Sequence, residues 1–336
     1  MKKLRPWHYL FLLVLVISTI WILRNRTTEM QNSEGRIFGT TYHAKYEYPT
    51  SLETEIMERL QQVDATFSMF NPNSLLSRIN RGEEVAADSL FARVFTLAQT
   101  VSAETNAAFD ITVAPLVNAW GFGFSKADSI TPALIDSLLP AVGYTHVRLT
   151  ENGQIEKLHP RVMMDCGAIA KGFAVDHVAA MFDSLGISNF MIEIGGEVVV
   201  RGTNSHGKPW RIGVSVPKPE AGNADVQAVL SVTNKAMATS GNYRNHYVKD
   251  GKRYAHTIHP RTGYPVQHSL LSASVVAPDC ATADAYATAF MVVGLDSAKS
   301  ILQHHPELMG YFIYENADGE MATWCTPRMN ELLETE

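Results

Sequence analysis

The stretch Asp165-Cys166-Gly167-Ala168-Ile169-Ala170-Lys171-Gly172 joins a short apolar run to a predicted helix. Its two glycines allow the backbone to approach a ligand closely. The helix that follows presents free N–H groups and the positive end of its dipole, which favour an anion, and Lys171 adds a mobile positive charge. The spacing does not match a P-loop, and the same residues would also serve as a tight strand-to-helix turn. The segment therefore predicts either a phosphate-binding turn or a purely structural one.

A second segment, Ala283-Asp284-Ala285-Tyr286-Ala287-Thr288-Ala289-Phe290, predicts the start of another helix. Asp284 and Thr288 are four residues apart, so they share one face of that helix. A carboxylate and a hydroxyl are oxygen donors that suit Mg²⁺, which usually keeps waters and substrate phosphates as its other ligands. Alternatively, Asp284 only complements the helix dipole and Thr288 is simply buried. Together the two segments predict a site for a hard metal ion and a pyrophosphate.

Two histidines and one cysteine are further candidates for chemistry. His256 and His259 lie three residues apart on a predicted strand, so at most one of them faces a given site. A neutral imidazole can act as a general base toward a hydroxyl, and a structural role is the alternative. Cys166 is predicted to be a buried, inert thiol because the adjoining Asp165 disfavours a thiolate. The phenylalanines that belong either to the core or to a sandwich around a planar ring are Phe38, Phe70, Phe109 and Phe122.

The spacing of apolar residues predicts an α+β fold. Amphipathic helices are predicted at 51–67, 89–105 and 173–185. Strands are predicted at 37–48, 147–149, 162–164, 190–194, 198–200, 210–216, 226–232, 253–258, 270–276, 310–314 and 321–324. Because hairpins and helices mix without a regular βαβ alternation, we predict a single domain of mixed or antiparallel sheets and packed helices over residues 36–330. The net charge of -6, without a dense basic block, argues against nucleic acid as the main partner.

The N-terminal region differs from the rest of the chain. Residues 1–6 are basic, through Lys2, Lys3 and Arg5, and residues 7–23 are mainly apolar. We predict that residues 7–23 form a transmembrane signal anchor, with a cleaved signal peptide as the alternative. The positive-inside rule then places residues 1–6 in the cytoplasm and the folded domain on the periplasmic or extracytoplasmic side of the cytoplasmic membrane. The polar residues 24–35 are predicted to be a linker.

Six segments, in order along the chain, resemble the motifs of the ApbE family of FAD:protein FMN transferases. The resemblance runs from about Phe38 to Trp324. The segments are Phe109-Asp110-Ile111-Thr112-Val113, Asp165 to Gly172, Ile194-Gly195-Gly196, Thr239-Ser240-Gly241-Asn242-Tyr243-Arg244, His256-Thr257-Ile258-His259-Pro260-Arg261-Thr262-Gly263, and Ala283 to Thr288.

The resemblance implies an activity and its partners. It implies that the chain binds FAD and Mg²⁺, transfers FMN from FAD to a threonine hydroxyl of an acceptor protein, and releases AMP. The implied acceptors are flavin-carrying subunits of membrane electron-transfer complexes. The alternatives are a FAD pyrophosphatase that yields FMN and AMP, and a protein that binds FAD without cleaving it.

The same resemblance assigns expected roles to individual residues. The metal ligands are expected to be the Asp284 carboxylate, the Thr288 hydroxyl and the Ala168 carbonyl. Asp284 and His256 are expected to be catalytic, with His256 as the base for the acceptor threonine. The residues expected to line the FAD site are Phe38, Phe70, Ala108, Phe109, Asp110, Asp165, Lys171 and His256.

Overall fold

An eight-stranded sheet organises the fold in a computed structural model, which describes residues 6–24, 29–123, 130–217, 225–242, 246–249 and 252–334. The strands are β1 (Met30–Ile37), β2 (Thr40–Glu47), β3 (Val147–Leu149), β4 (Ile155–Lys157), β5 (Phe190–Ile194), β6 (Glu197–Arg201), β7 (Trp210–Ser215), β8 (Val226–Val232), β9 (Lys235–Gly241), β10 (His246–Lys249), β11 (Lys252–Ala255), β12 (Leu270–Ala277), β13 (Met309–Glu315) and β14 (Met321–Cys325). The large sheet has the order β1-β2-β5-β6-β9-β12-β13-β14, and its neighbouring strands are antiparallel. The pairs β3–β4, β7–β8 and β10–β11 form separate two-stranded sheets.

Helices cover one face of the large sheet. The helices of the described residues are α1 (Pro6–Arg24), α2 (Glu53–Phe67), α3 (Leu75–Asn80), α4 (Ser89–Glu104), α5 (Ala114–Ala119), α6 (Pro132–Leu138), α7 (Ala170–Ser184), α8 (Cys280–Val293), α9 (Leu295–His304) and α10 (Pro327–Asn330). Side chains of α2, α4, α7 and α8 share one buried cluster with the sheet. The combination of an antiparallel sheet with segregated helices confirms the predicted α+β class.

Each face of the large sheet has its own core, because successive residues of a strand point in opposite directions. Val199 of β6 and Ala238 of β9 belong to the cluster that contains the helices. Their neighbours Val200 and Met237 belong to a second cluster, which the β7–β8 hairpin and α10 complete. The strands in the middle of the sheet are therefore covered on both sides, and any polar side chain there is removed from water.

Helix α8 lies at the centre of the first core. Nearly all of its residues from Cys280 to Val292 are buried, and five of its first ten residues are alanine. Small side chains allow neighbouring elements to approach a helix closely, and α8 packs against α7, β9 and β12. A polar residue on α8 therefore requires partners within the protein.

The predicted linker is wrong over its second half. Met30 to Ile37 form β1, which pairs with β2 in continuous register from Met30↔Glu47 to Ile37↔Thr40. The segment is polar because β1 is an edge strand, and the backbone hydrogen bonds of a strand do not depend on apolar side chains. Ser33 adds a buried hydrogen bond to the Tyr46 hydroxyl at 2.9 Å.

One predicted strand assignment is also wrong. Residues 162–164 are not a strand, and Met163 forms only an isolated bridge with Val113, while β3 pairs with β4 across the Asn152-Gly153 turn. The segment after Lys252 pairs with β10, whereas β12 pairs with β9 and β13. The turn between β11 and β12 closes on itself through an isolated bridge between Ile258 and Pro265, so it does not bring these two strands together.

The apolar N-terminal segment forms α1, whose large side chains from Trp7 to Ile17 are exposed. In the part of the chain that the structure describes, no helix is long and apolar enough to cross a membrane. Lys2, Lys3 and Arg5, together with Tyr243 and Arg244 of the fourth motif, lie outside the described residues.

Candidate functional site

The turn at residues 165–172 is fixed by hydrogen bonds at both of its ends. The Asp165 N–H donates to the Ile111 carbonyl at 2.7 Å, and the Asp165 carboxylate accepts from the Gly167 N–H at 2.7 Å. The Ala170 N–H donates to the Cys166 carbonyl at 2.8 Å and starts α7. Burial raises the pKa of the Asp165 carboxyl. The turn thus places the predicted residue Ala168 and the start of α7 beside the segment that contains Phe109 and Asp110.

Asp284 contacts the same turn from α8. Its side chain is only 3% exposed, and Oδ2 accepts a hydrogen bond from the Gly172 N–H at 3.1 Å. Burial raises the pKa of this carboxyl, whereas the charge of Lys171 lowers it. One turn further along α8, the Thr288 hydroxyl lies 3.1 Å from the Ser240 hydroxyl of β9. The two segments singled out in the sequence therefore meet in the fold.

At Gly172, helix α7 lies directly against the backbone of α8. A Cβ atom added there would overlap the Cys280 carbonyl and lie 2.9 Å from the Ala281 Cα, both of which belong to the α8 backbone. We expect Gly172→Ala to lower the free energy of unfolding by about 1–3 kcal/mol, because α8 must move. The cost of this steric overlap outweighs the gain of about 1 kcal/mol in helix propensity that alanine has over glycine in a helix interior.

Urea unfolding followed by circular dichroism measures the effect of Gly172→Ala. Gly167→Ala in the same turn is the control, because the added Cβ would lie 3.1 Å from the Asp165 Oδ1 and meet no backbone atom of α8. Equal stability of Gly172→Ala and the wild type would contradict the close contact between the two helices.

Glu197 completes a buried charged cluster with Lys171 and Asp284. It is the first residue of β6, directly after the Gly195-Gly196 turn, and is 2% exposed. Its Oε1 forms an ion pair with the Lys171 ammonium. Its Oε2 is buried and has no hydrogen-bond partner among the described residues. The sequence reasoning missed Glu197, because a glutamate after a glycine turn is usually exposed; its only signal was the apolar run Val198-Val199-Val200 that follows.

The cluster contains two carboxyl groups and one ammonium. Burial raises the pKa of Glu197, and the charge of Lys171 acts in the opposite direction. Burial lowers the pKa of Lys171, but the charges of Asp284 and Glu197 outweigh this and raise it above its usual range. Lys171 therefore stays protonated, and one ammonium faces two carboxyl groups. A bound cation would compensate the second carboxylate.

The donor set fits a hard cation such as Mg²⁺. Asp284 and Thr288 offer a carboxylate and a hydroxyl from one face of α8, and the part of the chain that the structure describes gives the buried Oε2 of Glu197 no hydrogen-bond partner. Ala168 lies in the turn that Gly172 connects to Asp284. Among the described residues, no group of three or more His, Cys, Asp or Glu side chains could hold a metal. The predicted ligands Ala168, Asp284 and Thr288 do not form a group of that kind, because only Asp284 contributes a carboxylate.

The segment before Asp110 has an unusual backbone. Asn106 and Ala107 have φ angles of 55° and 62°, a backbone conformation that residues other than glycine rarely adopt. Ala108 and Phe109, predicted to line the FAD site, are buried directly after it. Asp110 is buried as well, and its carboxylate accepts from the Thr112 N–H and hydroxyl and from the Tyr144 N–H. Burial raises the pKa of Asp110, and these three hydrogen bonds oppose the shift. The Asp110 carboxylate therefore organises the loop.

Phe38 and Phe70, the two aromatic residues predicted to contact FAD, differ in their burial. Phe38 and Gly39 form the two-residue turn between β1 and β2, with φ angles of 52° and 74°. This turn type requires positive φ at both positions, and an aromatic residue there is uncommon. Phe38 is half-buried against the core, whereas Phe70 is 84% exposed. Phe70 therefore presents a large apolar surface to solvent.

His256 is half-buried, and its ring lies edge-on to Phe122, with 6.4 Å between the ring centroids. The next residue, Thr257, donates its hydroxyl to the Asn242 side chain at 2.6 Å. The turn that follows is tied to the loop before Phe109, because the Arg261 guanidinium donates to the Asn106 side chain. The structure thus connects the His256 segment to the Phe109 segment, which in turn contacts the Asp165 turn.

A cavity of about 720 Å³ opens between α4 and α7. Its lining includes Arg93, Thr100, Asp176 and Thr282, and it contains none of the predicted site residues. The Asp176 carboxylate accepts from the Cys280 and Ala281 N–H groups at 2.8 Å, which caps the start of α8. This cavity is separate from the charged cluster.

Comparison with known proteins gives consistent matches over most of the chain. The model of the ApbE family matches residues 38–312. A protein of Haemophilus influenzae named FAD:protein FMN transferase is 37% identical over 329 residues, which cover 93% of this chain and 94% of that protein. A protein of Escherichia coli K12 with the same name is 32% identical over 326 residues, or 93% of this chain and 92% of that one.

Two solved structures also match most of the chain. The structure of the flavin transferase ApbE from Vibrio cholerae superposes with a TM-score of 0.82 at 33% identity, and covers 91% of this chain and 99% of that one. The apo form of the flavinyl transferase ApbE from Pseudomonas stutzeri superposes with a TM-score of 0.80 at 27% identity, over 92% and 98% of the two chains.

Proposed function

The chain belongs to the ApbE family, and from this premise we propose that it transfers FMN from FAD to an acceptor protein. Its curated relatives at 32–37% identity are named as transferases of this kind and match it over nearly their whole length. At the level of residues, the proposal rests on one observation. Lys171, Gly172 and Asp284 lie close together between α7 and α8. An ammonium, a helix N-terminus and a carboxylate at one place suit a pyrophosphate with its counter-ion.

We further propose that transfer depends on Mg²⁺, with Asp284, Thr288 and the Ala168 carbonyl as ligands. When bound, the ion would neutralise charge on the pyrophosphate oxygens and hold them in place for displacement. The uncompensated carboxylate and the hard oxygen donors of the cluster support this assignment. Lys171 would contribute a second positive charge, since its side chain is one-third exposed and its ammonium would contact a phosphate.

The reaction would be a displacement at the phosphorus of the FMN half of FAD. The acceptor threonine Oγ forms a bond to this phosphorus, and the bond from phosphorus to the bridging oxygen breaks. AMP leaves with that oxygen, and His256 accepts the threonine proton. Phe38 and Phe70 would contact the ring systems of FAD, because aromatic side chains stack well on planar rings. The expected acceptors are flavin-carrying subunits of membrane electron-transfer complexes.

The extracytoplasmic location stays a prediction from the basic and apolar N-terminal residues. Fractionation of cells that express the full chain, followed by protease treatment of intact spheroplasts, tests it. Degradation of the domain in intact spheroplasts is expected, and protection until lysis would contradict the prediction.

Flavinylation of an acceptor is the direct test of the proposed function. The full chain is incubated with FAD, Mg²⁺ and a protein that carries a flavinylation sequence. We expect in-gel flavin fluorescence and an FMN mass increment on the acceptor threonine, both lost when EDTA removes the metal. Free FMN and AMP with an unlabelled acceptor would instead indicate a pyrophosphatase, and intact FAD throughout would indicate a binding protein.

A further inference from the structure

Lys171 lies between two buried carboxyl groups but pairs with only one of them. The Lys171 ammonium forms an ion pair with Glu197, and the Asp284 carboxylate lies 3.1 Å from the backbone nitrogen of Gly172, the residue after Lys171. Among the described residues, Lys171 forms its ion pair with Glu197 and forms none with Asp284. Asp284 instead accepts from the neutral Gly172 N–H through Oδ2. The cluster therefore has a defined arrangement, although a second pairing between Lys171 and Asp284 is available to it.

We propose that Glu197 is a positioning residue that holds the Lys171 ammonium away from Asp284, which keeps the Asp284 carboxylate available for the metal ion. The inference rests on the proposed function, since it takes Asp284 as a metal ligand. An ammonium paired directly with Asp284 would repel a divalent cation and occupy the carboxylate oxygens. By pairing with Lys171 itself, Glu197 prevents this competition and directs the same positive charge toward the phosphates.

The place of Glu197 in the fold suits this role. It begins β6 and pairs with Ile194 of β5, and the pairing of β6 with β9 starts at the next residue, Val198, in the middle of the large sheet. The Gly195-Gly196 turn, with φ angles of 62° and 105°, brings the chain back into the sheet directly before it. A carboxylate on such a rigid element holds its partner more precisely than one on a loop. The burial of Glu197 also strengthens its attraction for the ammonium.

The test measures metal binding without FAD or acceptor, so it does not depend on flavin transfer. Mn²⁺ serves as the probe, and the free ion is measured by electron paramagnetic resonance while Mg²⁺ competes for the site. Glu197→Gln keeps the shape of the side chain but removes its charge, so Lys171 should turn to Asp284. We expect Mn²⁺ affinity to fall roughly tenfold, which corresponds to about 1.4 kcal/mol. Adding Lys171→Met to this variant should restore the affinity to within about threefold of the wild type, since the competing ammonium is then absent.

Restoration in the double variant distinguishes positioning from a merely structural role. If Glu197→Gln caused only a structural defect, it would lower the thermal unfolding temperature, and Lys171→Met would lower that temperature further. If Glu197→Gln does not fold, Glu197→Asp replaces it, with a smaller loss of affinity that Lys171→Met again cancels. Unchanged Mn²⁺ affinity in the folded Glu197 variant, or no recovery in the folded double variant, would overturn the proposal.

The outcomes also separate this inference from the proposed function. A wild-type protein that binds Mn²⁺ and shows the expected pattern supports the role of Glu197 even if no acceptor becomes flavinylated. A wild-type protein that binds no Mn²⁺ overturns both the role of Glu197 and the metal site. Normal flavinylation by the wild type, together with unchanged Mn²⁺ affinity in the Glu197 variants, overturns the role of Glu197 but not the proposed function.

Discussion

Replacing Asp284 with alanine is expected to lower the rate of flavin transfer by roughly 10²- to 10³-fold, the range seen when one preorganised electrostatic contact to a transition state is removed. The carboxylate is the only charged ligand in the proposed metal set, and the α8 backbone fixes its position. The initial rate of acceptor labelling at saturating FAD, measured across a Mg²⁺ titration, gives the size of the loss. Higher Mg²⁺ should recover part of the rate if weakened metal binding is the cause.

Asp284→Asn is the matched control, because its amide oxygen can still accept the hydrogen bond from Gly172. We expect this variant to be nearly as inactive as Asp284→Ala, since it lacks the charge. Its free energy of unfolding without metal should equal or exceed that of the wild type, because burial disfavours the charged form of Asp284. An active Asp284→Asn variant, or one whose activity falls only because it unfolds, would contradict a role in metal binding.

The sequence predicted the parts of the site that depend on local periodicity. Asp284 and Thr288 fall on one face of α8 because helix geometry places residues four apart side by side. The turn before α7 was likewise visible from its glycines and lysine. The contact between the two, through Gly172 and Asp284, follows from the packing of α7 on α8, which no local pattern specifies.

The parts that were missed depend on long-range pairing. Glu197 is buried because β6 lies between β5 and β9, and the sequence alone does not give that order. The edge strand β1 lacks an apolar alternation, so its polar residues predict a linker instead of a strand. The strand β12 pairs with β9 and β13 because both cores require it between them, even though β11 is closer in sequence. The order of strands in a large sheet was thus the main information beyond the reach of the sequence.

His256→Ala is expected to lower flavin transfer by about 10²- to 10⁴-fold while FAD binding stays close to that of the wild type, because a general base contributes about this much to rate. The acceptor hydroxyl must lose its proton as its oxygen attacks phosphorus. His256 lies on the segment that Arg261 ties to the loop before Phe109, beside the other predicted FAD residues. The rate of acceptor labelling and the quenching of flavin fluorescence on FAD binding separate the chemical step from binding.

His259→Ala provides the matched control for this experiment. It removes an imidazole from the same turn, and burial lowers the pKa of His259, so the His259 ring is neutral near pH 7. Its Nδ1 accepts a hydrogen bond from the Arg261 N–H at 3.2 Å, which indicates a role in the turn itself. We expect His259→Ala to keep most of the activity and added imidazole to restore part of the rate of His256→Ala only. Full transfer activity in His256→Ala would show that another group, or the metal-bound pyrophosphate itself, accepts the threonine proton.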